Sequence, residues 1–352
     1  MRRDLRILDA DAHVVEPGPV FEAFIEPGDP VFDLPASTPR VPCGDWAVIE
    51  DQASHGFDAP SYLRAMDAQG IDGAVLFPSI GLFVPFSPRL SVTESAAACR
   101  SYNEWVASYC ATDASRLAAV GLVPQRDPKL AAAEARHAAE LGLVGVIVRP
   151  NHLYDTYLGD PAFDPFYDVV EETGVVLAVH EALGVDGPTI GSDRFTTFAE
   201  RHACSHPLEQ MAAMTGLVLG GVLERHPELR VAFLESGTGW MPYWLNRLDN
   251  HHEWMEHTEL AGLSLTPSEY FARQCVTCSD PEDGLAPWVI ARLGADHVMW
   301  ASDFPHPDAL FPDAVDHFLD DMQSAVVDRE PLSAVLWETP ARFYGLAERF
   351  RG

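Results

Sequence analysis

Short β-branched runs alternate with longer helical patterns from one end of this chain to the other. Such alternation predicts a parallel sheet, and eight strands with intervening helices are typical of a closed α/β barrel, the (β/α)8 or TIM barrel. We predict strands near residues 7–13, 72–79, 119–124, 144–149, 175–181, 230–236, 275–279 and 297–303. Helices are expected near residues 60–69, 94–111, 128–141, 162–173, 205–226, 240–257, 282–293, 307–321 and 332–349.

One segment, residues 17–58, breaks the alternation. It is rich in Pro, Gly, Asp and Ser, but it also carries aromatic residues such as Phe21 and Trp46. A loop of this length inside a compact domain is often functional, and its aromatic residues favour packing. We therefore predict one domain over residues 1–352, with 17–58 as a long loop insertion after the first strand that covers the barrel mouth. A second wall of the mouth is expected at residues 81–86, which include Phe83.

The charge of the chain excludes two classes of partner. Its 352 residues include 53 acidic and 23 basic ones, which gives a net charge of −30. Such a surface repels nucleic acid and anionic membranes. The N-terminal residues lack the apolar segment of a secretory signal, and six scattered cysteines suit reduced thiols better than a disulfide framework. We expect a cytoplasmic protein that binds a small molecule and has no nucleic-acid or membrane partner.

Three of the predicted strands end in side chains that bind metal ions. Asp11 and His13 stand two residues apart on the first strand, so their side chains point to the same face. His180 follows the fifth strand and Asp303 follows the eighth. Because the carboxyl ends of barrel strands meet at one mouth, we expect these four residues to hold one divalent ion with open positions for water or substrate. Two imidazoles and two carboxylates suit Zn²⁺ or Mn²⁺.

Five stretches of the chain carry recognisable motifs. They are residues 9–17 (DADAHVVEP), 206–211 (HPLEQM), 234–240 (LESGTGW), 302–307 (SDFPHP) and 337–346 (WETPARFYGL). Together they resemble the amidohydrolase superfamily, in the amidohydrolase 2 branch related to aminocarboxymuconate-semialdehyde decarboxylase, and the resemblance covers nearly the whole chain. It implies a metal-dependent enzyme with one divalent ion, usually zinc or manganese, and it implies a homodimer.

The chain departs from the pattern of this family at two positions. Many members begin with His-x-His, whereas Asp11 stands in the first ligand position here. The added negative charge favours a harder ion such as Mn²⁺. At the end of the sixth strand the well-studied decarboxylases carry a histidine, whereas this chain has Glu235. This second difference argues against a direct transfer of the decarboxylase mechanism.

Metal-assisted hydrolysis of a small carbonyl compound is the reaction we expect. The ion lowers the pKa of a bound water, and Asp303 is expected to transfer the proton as general acid and base. Glu235 is expected to be a second catalytic acid or base, although a buried carboxylate bonded to the backbone also fits the sequence. His206, next to Pro207, is a third catalytic candidate, with a substrate contact or a helix cap as the alternatives.

Two other functions stay open. One is non-oxidative decarboxylation of an aromatic or unsaturated carboxylic acid on the same ion, with Asp303 protonating the ring carbon. The other is a metal-stabilised binding protein without catalysis. For substrate binding we expect His306, Trp46, Phe83 and Arg149, and the aromatic residues favour a small aromatic or apolar substrate.

Overall fold

The computed structural model describes residues 1–24, 52, 54–152, 156–182, 189–306 and 309–351. Within these residues, eight parallel strands form one sheet in which each strand pairs with the next along the chain. The predicted (β/α)8 barrel is confirmed, and every predicted strand overlaps an observed one. The strands are β1 (Leu8–Val14), β2 (Gly73–Pro78), β3 (Leu117–Leu122), β4 (Gly145–Val148), β5 (Val176–Val179), β6 (Val231–Phe233), β7 (Cys275–Ser279) and β8 (Val298–Trp300).

Burial on both faces explains the composition of these strands. Every residue of the eight strands is buried. Helices cover the outer face of a barrel and side chains fill its interior, so its strands read as continuous apolar runs. Three side chains of β1 are exceptions to this apolar pattern: Asp9, Asp11 and His13 are buried although they are polar. Buried polar groups of this kind need partners inside the protein.

Backbone hydrogen bonds at the carboxyl ends of β1 and β8 close the barrel. The His13 N–H donates to the carbonyl of Phe304 at 2.7 Å, and the Asp303 N–H donates to the carbonyl of Asp11 at 3.3 Å. Closure of the barrel therefore fixes the backbones of three predicted metal ligands relative to one another.

The buried carboxylate of Asp9 joins the same two strands deeper in the barrel. It accepts hydrogen bonds from the Ser302 N–H at 3.0 Å and from the Ser302 hydroxyl at 2.5 Å. Burial raises the pKa of Asp9 to about 6, although the Ser302 hydrogen bonds act in the opposite direction. The Tyr344 hydroxyl donates to the carbonyl of Ala10 at 3.1 Å, which ties the C-terminal helices to β1.

The helices surround the barrel, and several of them differ from the prediction: the predicted helix 205–226 is divided into two, the predicted helix 307–321 begins at Ala314, and the predicted helix 332–349 is broken into two short helices with a π-helical turn between them. The structure contains α1 (Ala59–Gln69), α2 (Val92–Cys110), α3 (Pro128–Glu140), α4 (Asp164–Thr173), α5 (Phe198–Leu219), α6 (Val222–Arg225), α7 (Trp240–Met255), α8 (Pro267–Gln274), α9 (Ala286–Leu293), α10 (Ala314–Ser324), α11 (Arg329–Ser333) and α12 (Thr339–Phe343), with a π-helical turn at Ala334–Glu338. The predicted start of α5 at residue 205 was wrong, because Thr197 and Glu200 form a capping box and Pro207 lies inside the helix. The extra helix α8, which precedes β7, was not predicted.

The start of the predicted insertion packs against α2. It forms 3₁₀ turns at Gly18–Val20 and Glu22–Phe24, and the carbonyl of Val20 accepts a hydrogen bond from the Ser101 hydroxyl on α2 at 2.7 Å. Residues 25–51 and 53, and Trp46 with them, lie outside the described residues. A cover over the barrel mouth therefore stays a prediction.

No helix in the described part of the chain combines the length and apolarity that crossing a bilayer demands. The five cysteines among the described residues carry free thiols, including Cys275 and Cys278 on β7.

We expect Asp9→Ala to destabilise the protein by roughly 2–4 kcal/mol, because it leaves the buried Ser302 N–H without an acceptor. Urea unfolding followed by circular dichroism measures this change. The matched control is Asp67→Ala, which removes only a surface ion pair with Arg116 and should cost at most about 1 kcal/mol. Equal stability of the two variants would show that Asp9 does not stabilise the junction between β1 and β8.

Candidate active site

The structure brings four predicted ligands to one point at the carboxyl end of the barrel. Asp11 and His13 lie on β1, His180 directly follows β5, and Asp303 follows β8. Ligand atoms of Asp11, His13 and His180 all lie within 4.8 Å of one another. The Nε2 atom of His13 lies 3.2 Å from Oδ1 of Asp303 and 3.7 Å from Oδ1 of Asp11. The Nε2 atom of His180 lies 3.6 Å from Oδ2 of Asp11.

Backbone hydrogen bonds orient both imidazoles. Nδ1 of His13 lies 2.8 Å from the carbonyl of Pro78, and Nδ1 of His180 lies 2.6 Å from the carbonyl of Glu181. A carbonyl only accepts, so Nδ1 carries the hydrogen and Nε2 presents its lone pair to the site. Burial lowers the pKa of both rings, more strongly for His180. Both histidines are therefore held in the neutral form that binds metal.

The donor atoms fit a divalent ion. Ligands bound at about 2.0–2.2 Å stand roughly 3–3.5 Å apart around one metal, close to the separations of 3.2–3.7 Å found here. Among the described residues, Nε2 of His13, Nε2 of His180 and Oδ1 of Asp11 are buried without a hydrogen-bond partner. Buried polar atoms without partners are rare in native proteins, and a bound ion accounts for all three.

Repulsion between carboxylates supports the same conclusion. Burial raises the pKa of Asp11 well above its ordinary value, and the nearby charges of Glu235 and Asp303 raise it further. Burial also acts to raise the pKa of Asp303, but its interactions with His306 and His13 outweigh this effect and hold the pKa below the ordinary value. A divalent cation stabilises ionised carboxylates at this point.

Two of the acidic residues sit on strained backbone. Glu235 has φ 44° and Asp303 has φ 56°, in the left-handed region that residues other than glycine rarely adopt. Such positions cost roughly 1–3 kcal/mol and concentrate at functional sites. Both follow short strands, β6 and β8, and both side chains line the same cavity.

This cavity has a volume of about 350 Å³ and an acidic wall. Glu235 lies between two histidines, with Oε2 3.2 Å from Nε2 of His180 and Oε1 3.5 Å from Nε2 of His206. Burial lowers the pKa of His206. Among the described residues that line the cavity, none is a lysine or an arginine. The lining comprises His202, Ala203, His206, Pro207, Glu235, Ser236, Gly237, Asp280, Pro281, Glu282, Asp283, Ser302, Asp303 and Ala309.

Two of the predicted substrate-binding residues, His306 and Phe83, lie in different parts of the structure. His306 lies beside the metal-binding residues, with Nδ1 2.8 Å from Oδ1 of Asp303 and its ring stacked on that of His13 at 3.9 Å. Phe83 is half-buried against the hydrophobic core, between two 3₁₀ turns. Neither residue belongs to the cavity lining given above, and Trp46 lies outside the described residues.

The structure corrects the prediction for Arg149. Its side chain is fully buried, and its guanidinium donates to the carbonyls of Leu82 at 2.8 Å and Ala182 at 2.6 Å. The same group lies 3.4 Å from Oε1 of Glu181, which is buried as well. The long side chain of Arg149 points into the protein interior and pairs there with Glu181, so no part of it is exposed to a substrate.

Asp280 and His202 are among the cavity residues that sequence reasoning missed. Asp280 directly follows β7, the same position relative to its strand that identified His180, and burial raises its pKa well above the ordinary value. His202 lies one helical turn before His206 on α5. The His-x-x-x-His spacing was visible in the sequence, but it carries meaning only once both residues are known to be helical.

A (β/α)8 barrel with two imidazoles and two carboxylates at its carboxyl-terminal mouth defines the class of metal-dependent barrel enzymes. The family model described as Amidohydrolase matches residues 8–346. The chain therefore belongs to the amidohydrolase family, as the resemblance of its motifs implied.

Two relatives of the chain are decarboxylases by name. The chain is 24% identical over 208 residues to 2-amino-3-carboxymuconate-6-semialdehyde decarboxylase of Dictyostelium discoideum, a match over 58% of this chain and 55% of that protein. It is 25% identical over 258 residues to gamma-resorcylate decarboxylase of Rhizobium sp. (strain MTP-10005), a match over 69% of this chain and 75% of the relative. The predicted hydrolysis finds no support among these relatives, whereas the alternative of decarboxylation does.

A solved structure shares the fold of the chain. It is 5-carboxyvanillate decarboxylase from Novosphingobium aromaticivorans with bound manganese and 3-methoxy-4-hydroxy-5-nitrobenzoic acid. The TM-score is 0.76 at 18% identity, and the match covers 98% of each chain. A metal centre therefore occurs at least once among proteins of this fold.

We expect His180→Ala to weaken binding of the divalent ion by roughly 100-fold or more, since it removes one of the two imidazole ligands. Elemental analysis after dialysis against manganese gives the metal content. The control is His257→Ala, at a histidine whose side chain is 92% exposed. Full metal content in the His180 variant would disprove its assignment as a ligand.

Proposed function

We propose that this protein is a metal-dependent, non-oxidative decarboxylase of a small aromatic carboxylic acid. The observation that carries the proposal is the cluster of Asp11, His13, His180 and Asp303 beside an acidic cavity. The relatives described above support the reaction, because both are decarboxylases by name, one of a carboxymuconate semialdehyde and the other of a resorcylate.

The four clustered residues would hold one Mn²⁺ or Zn²⁺ ion. When bound, the ion supplies positive charge that holds the substrate carboxylate and a neighbouring hydroxyl and stabilises negative charge on them. Manganese is the metal in the structure of 5-carboxyvanillate decarboxylase described above, and the two carboxylates of the cluster also favour manganese.

The reaction breaks the bond between the carboxylate carbon and the ring. Its electron pair stays on the ring carbon, which takes up one proton, while carbon dioxide leaves; nothing is oxidised and no water is consumed. Asp303 is ionised before the reaction, so the proton first passes to it from His306, whose Nδ1 lies 2.8 Å from Oδ1 of Asp303. Asp303 lines the cavity and is the residue we assign to pass this proton on to the ring carbon.

Glu235 and His206 also line the cavity, as a second acid–base pair. They lie 3.5 Å apart, and the side chain of His206 is buried while that of Glu235 is 18% exposed. In this position they hold a polar substituent of the substrate and relay its proton. The alternative of a purely structural, backbone-bonded Glu235 stays open to test.

The charge of the cavity makes this chemistry depend on the cation. A carboxylic acid enters as an anion, and the described lining offers carboxylates and histidines but no lysine or arginine. The metal ion is then the main source of attraction for the substrate.

We also propose that the protein is a homodimer, as the family resemblance implies. Light scattering on the protein as it elutes from a sizing column measures its mass.

The deciding experiment incubates manganese-loaded protein with hydroxybenzoates labelled with ¹³C in the carboxyl group, in parallel with esters, lactones and amides. We expect labelled carbon dioxide from one or more of the acids and, in D₂O, one deuterium at the ring carbon that lost the carboxylate. Hydrolysis of the esters, lactones or amides without carbon dioxide would overturn the proposal. Bound metal without any turnover would favour a binding protein.

With the substrate found in this way, we expect Asp303→Asn to lower kcat by roughly 100–10,000-fold, because the amide is neither basic enough to take up the proton nor acidic enough to give it to the ring carbon. Turnover is measured with manganese in excess, and metal content is determined on the same sample. Full metal content together with an unchanged kcat in the Asp303→Asn variant would remove Asp303 from the mechanism.

For Glu235→Gln we expect kcat to fall by roughly 100-fold or more with metal content retained, because the amide keeps the shape of the side chain but not its basicity. Thermal unfolding of the same protein separates the alternatives. Intact turnover would assign Glu235 to a structural role.

A further inference from the structure

A second group of metal-binding side chains lies beside the first. It consists of His202 and His206 on α5 and Glu235 after β6, and one ligand atom from each lies within 4.8 Å of the others. All three line the acidic cavity. None of the four residues of the first cluster belongs to this group, so it is a separate set of donors.

The helix presents the two imidazoles together. His202 and His206 are four residues apart, so they lie on the same face one turn apart. Their ring centroids are 4.5 Å apart. The capping box of Thr197 and Glu200 sets the start of α5 less than two turns before His202, so both histidines lie within the helix. Two histidines at this spacing on one helix are a recurrent pair of zinc ligands.

The separations within the group suit a small cation. Nε2 of His206 lies 3.5 Å from Oε1 of Glu235, near the separation of roughly 3.3 Å between two ligands of a tetrahedral zinc ion. The Ser205 hydroxyl lies 3.1 Å from Nδ1 of His206, on the far side of the ring, so Nε2 is the nitrogen that faces Glu235. The His206 side chain is 7% exposed and therefore held in this orientation by its surroundings.

Glu235 connects the two groups. One of its oxygens is 3.2 Å from Nε2 of His180 and the other is 3.5 Å from Nε2 of His206. A carboxylate in this position can bridge two ions. The remaining charge of the cavity favours a second cation, because Asp280, Glu282 and Asp283 add three carboxyl groups and the described lining contributes no basic residue other than histidine.

We propose that His202, His206 and Glu235 form a second divalent-cation site, selective for zinc over manganese, next to the metal centre of the barrel. Two imidazoles and one carboxylate form the donor set of many open zinc sites, with the fourth position left to water. Manganese prefers sites with more oxygen ligands.

Occupation of this site has a consequence for catalysis that rests on the proposed function. Zinc bound by His206 and Glu235 takes both side chains out of proton transfer, and it narrows the cavity. Zinc in excess then inhibits decarboxylation by the manganese enzyme, and substitution of His202 relieves the inhibition without touching the residues assigned to the reaction.

The test of the site needs no substrate. Full-length protein loaded with manganese is dialysed against increasing Zn²⁺, and both metals are determined by elemental analysis. We expect two ions per chain for the wild type, one for His202→Ala and His206→Ala, and two for the exposed control His257→Ala. One ion in the wild type at saturation, or two in the His202 variant, would overturn the proposal.

Cobalt spectroscopy provides a second readout that does not depend on stoichiometry. Co²⁺ added in place of Zn²⁺ should give visible absorption bands of a tetrahedral site in the wild type, and these bands should be absent in His202→Ala while its circular dichroism is unchanged. Identical spectra of the two proteins would also overturn the proposal. If the substrate screen fails while the second ion binds, only the proposed function is lost; if one ion binds and carbon dioxide is released, only the second site is lost.

Discussion

Repulsion between buried carboxylates is the constraint on which the mouth of this barrel depends. Burial and the charges of Glu235 and Asp303 raise the pKa of Asp11 well above its ordinary value, and the same influences act on Asp280. In the same place, Nε2 of His180 is buried without a hydrogen-bond partner. A divalent ion satisfies both the carboxylates and the imidazoles, and it gives the acidic cavity an attraction for an anionic substrate.

The barrel seam, where β1 meets the residues that follow β8, holds these repelling groups in place. Its backbone hydrogen bonds involve Asp11, His13 and Asp303, and the Asp9 side chain adds two hydrogen bonds to Ser302. The same contacts therefore determine both the stability of the barrel and the positions of the metal ligands. The positive φ of Asp303 is tolerated because the seam determines the backbone on both sides of it.

Much of the fold and part of the site followed from local patterns in the sequence. Asp11 and His13 could be paired because strand side chains alternate, and His180 was found because it ends an apolar run. His202 was missed because Pro207 suggested a helix start near residue 205, whereas the capping box at Thr197 starts the helix seven residues earlier, at Phe198. Local spacing identifies ligands on strands reliably, but on a helix it requires the correct helix boundary.

The sequence by itself determined the barrel, the order of its strands and the residues that end them, because these depend on the periodicity of apolar side chains. Only the tertiary structure decided which polar residues share a site. Arg149 and Glu235 both stand near strand ends, yet one pairs with Glu181 in the interior and the other faces the cavity between two histidines. The direction of a side chain at a strand end depends on packing and on charges contributed by distant segments, and neither is encoded in local spacing.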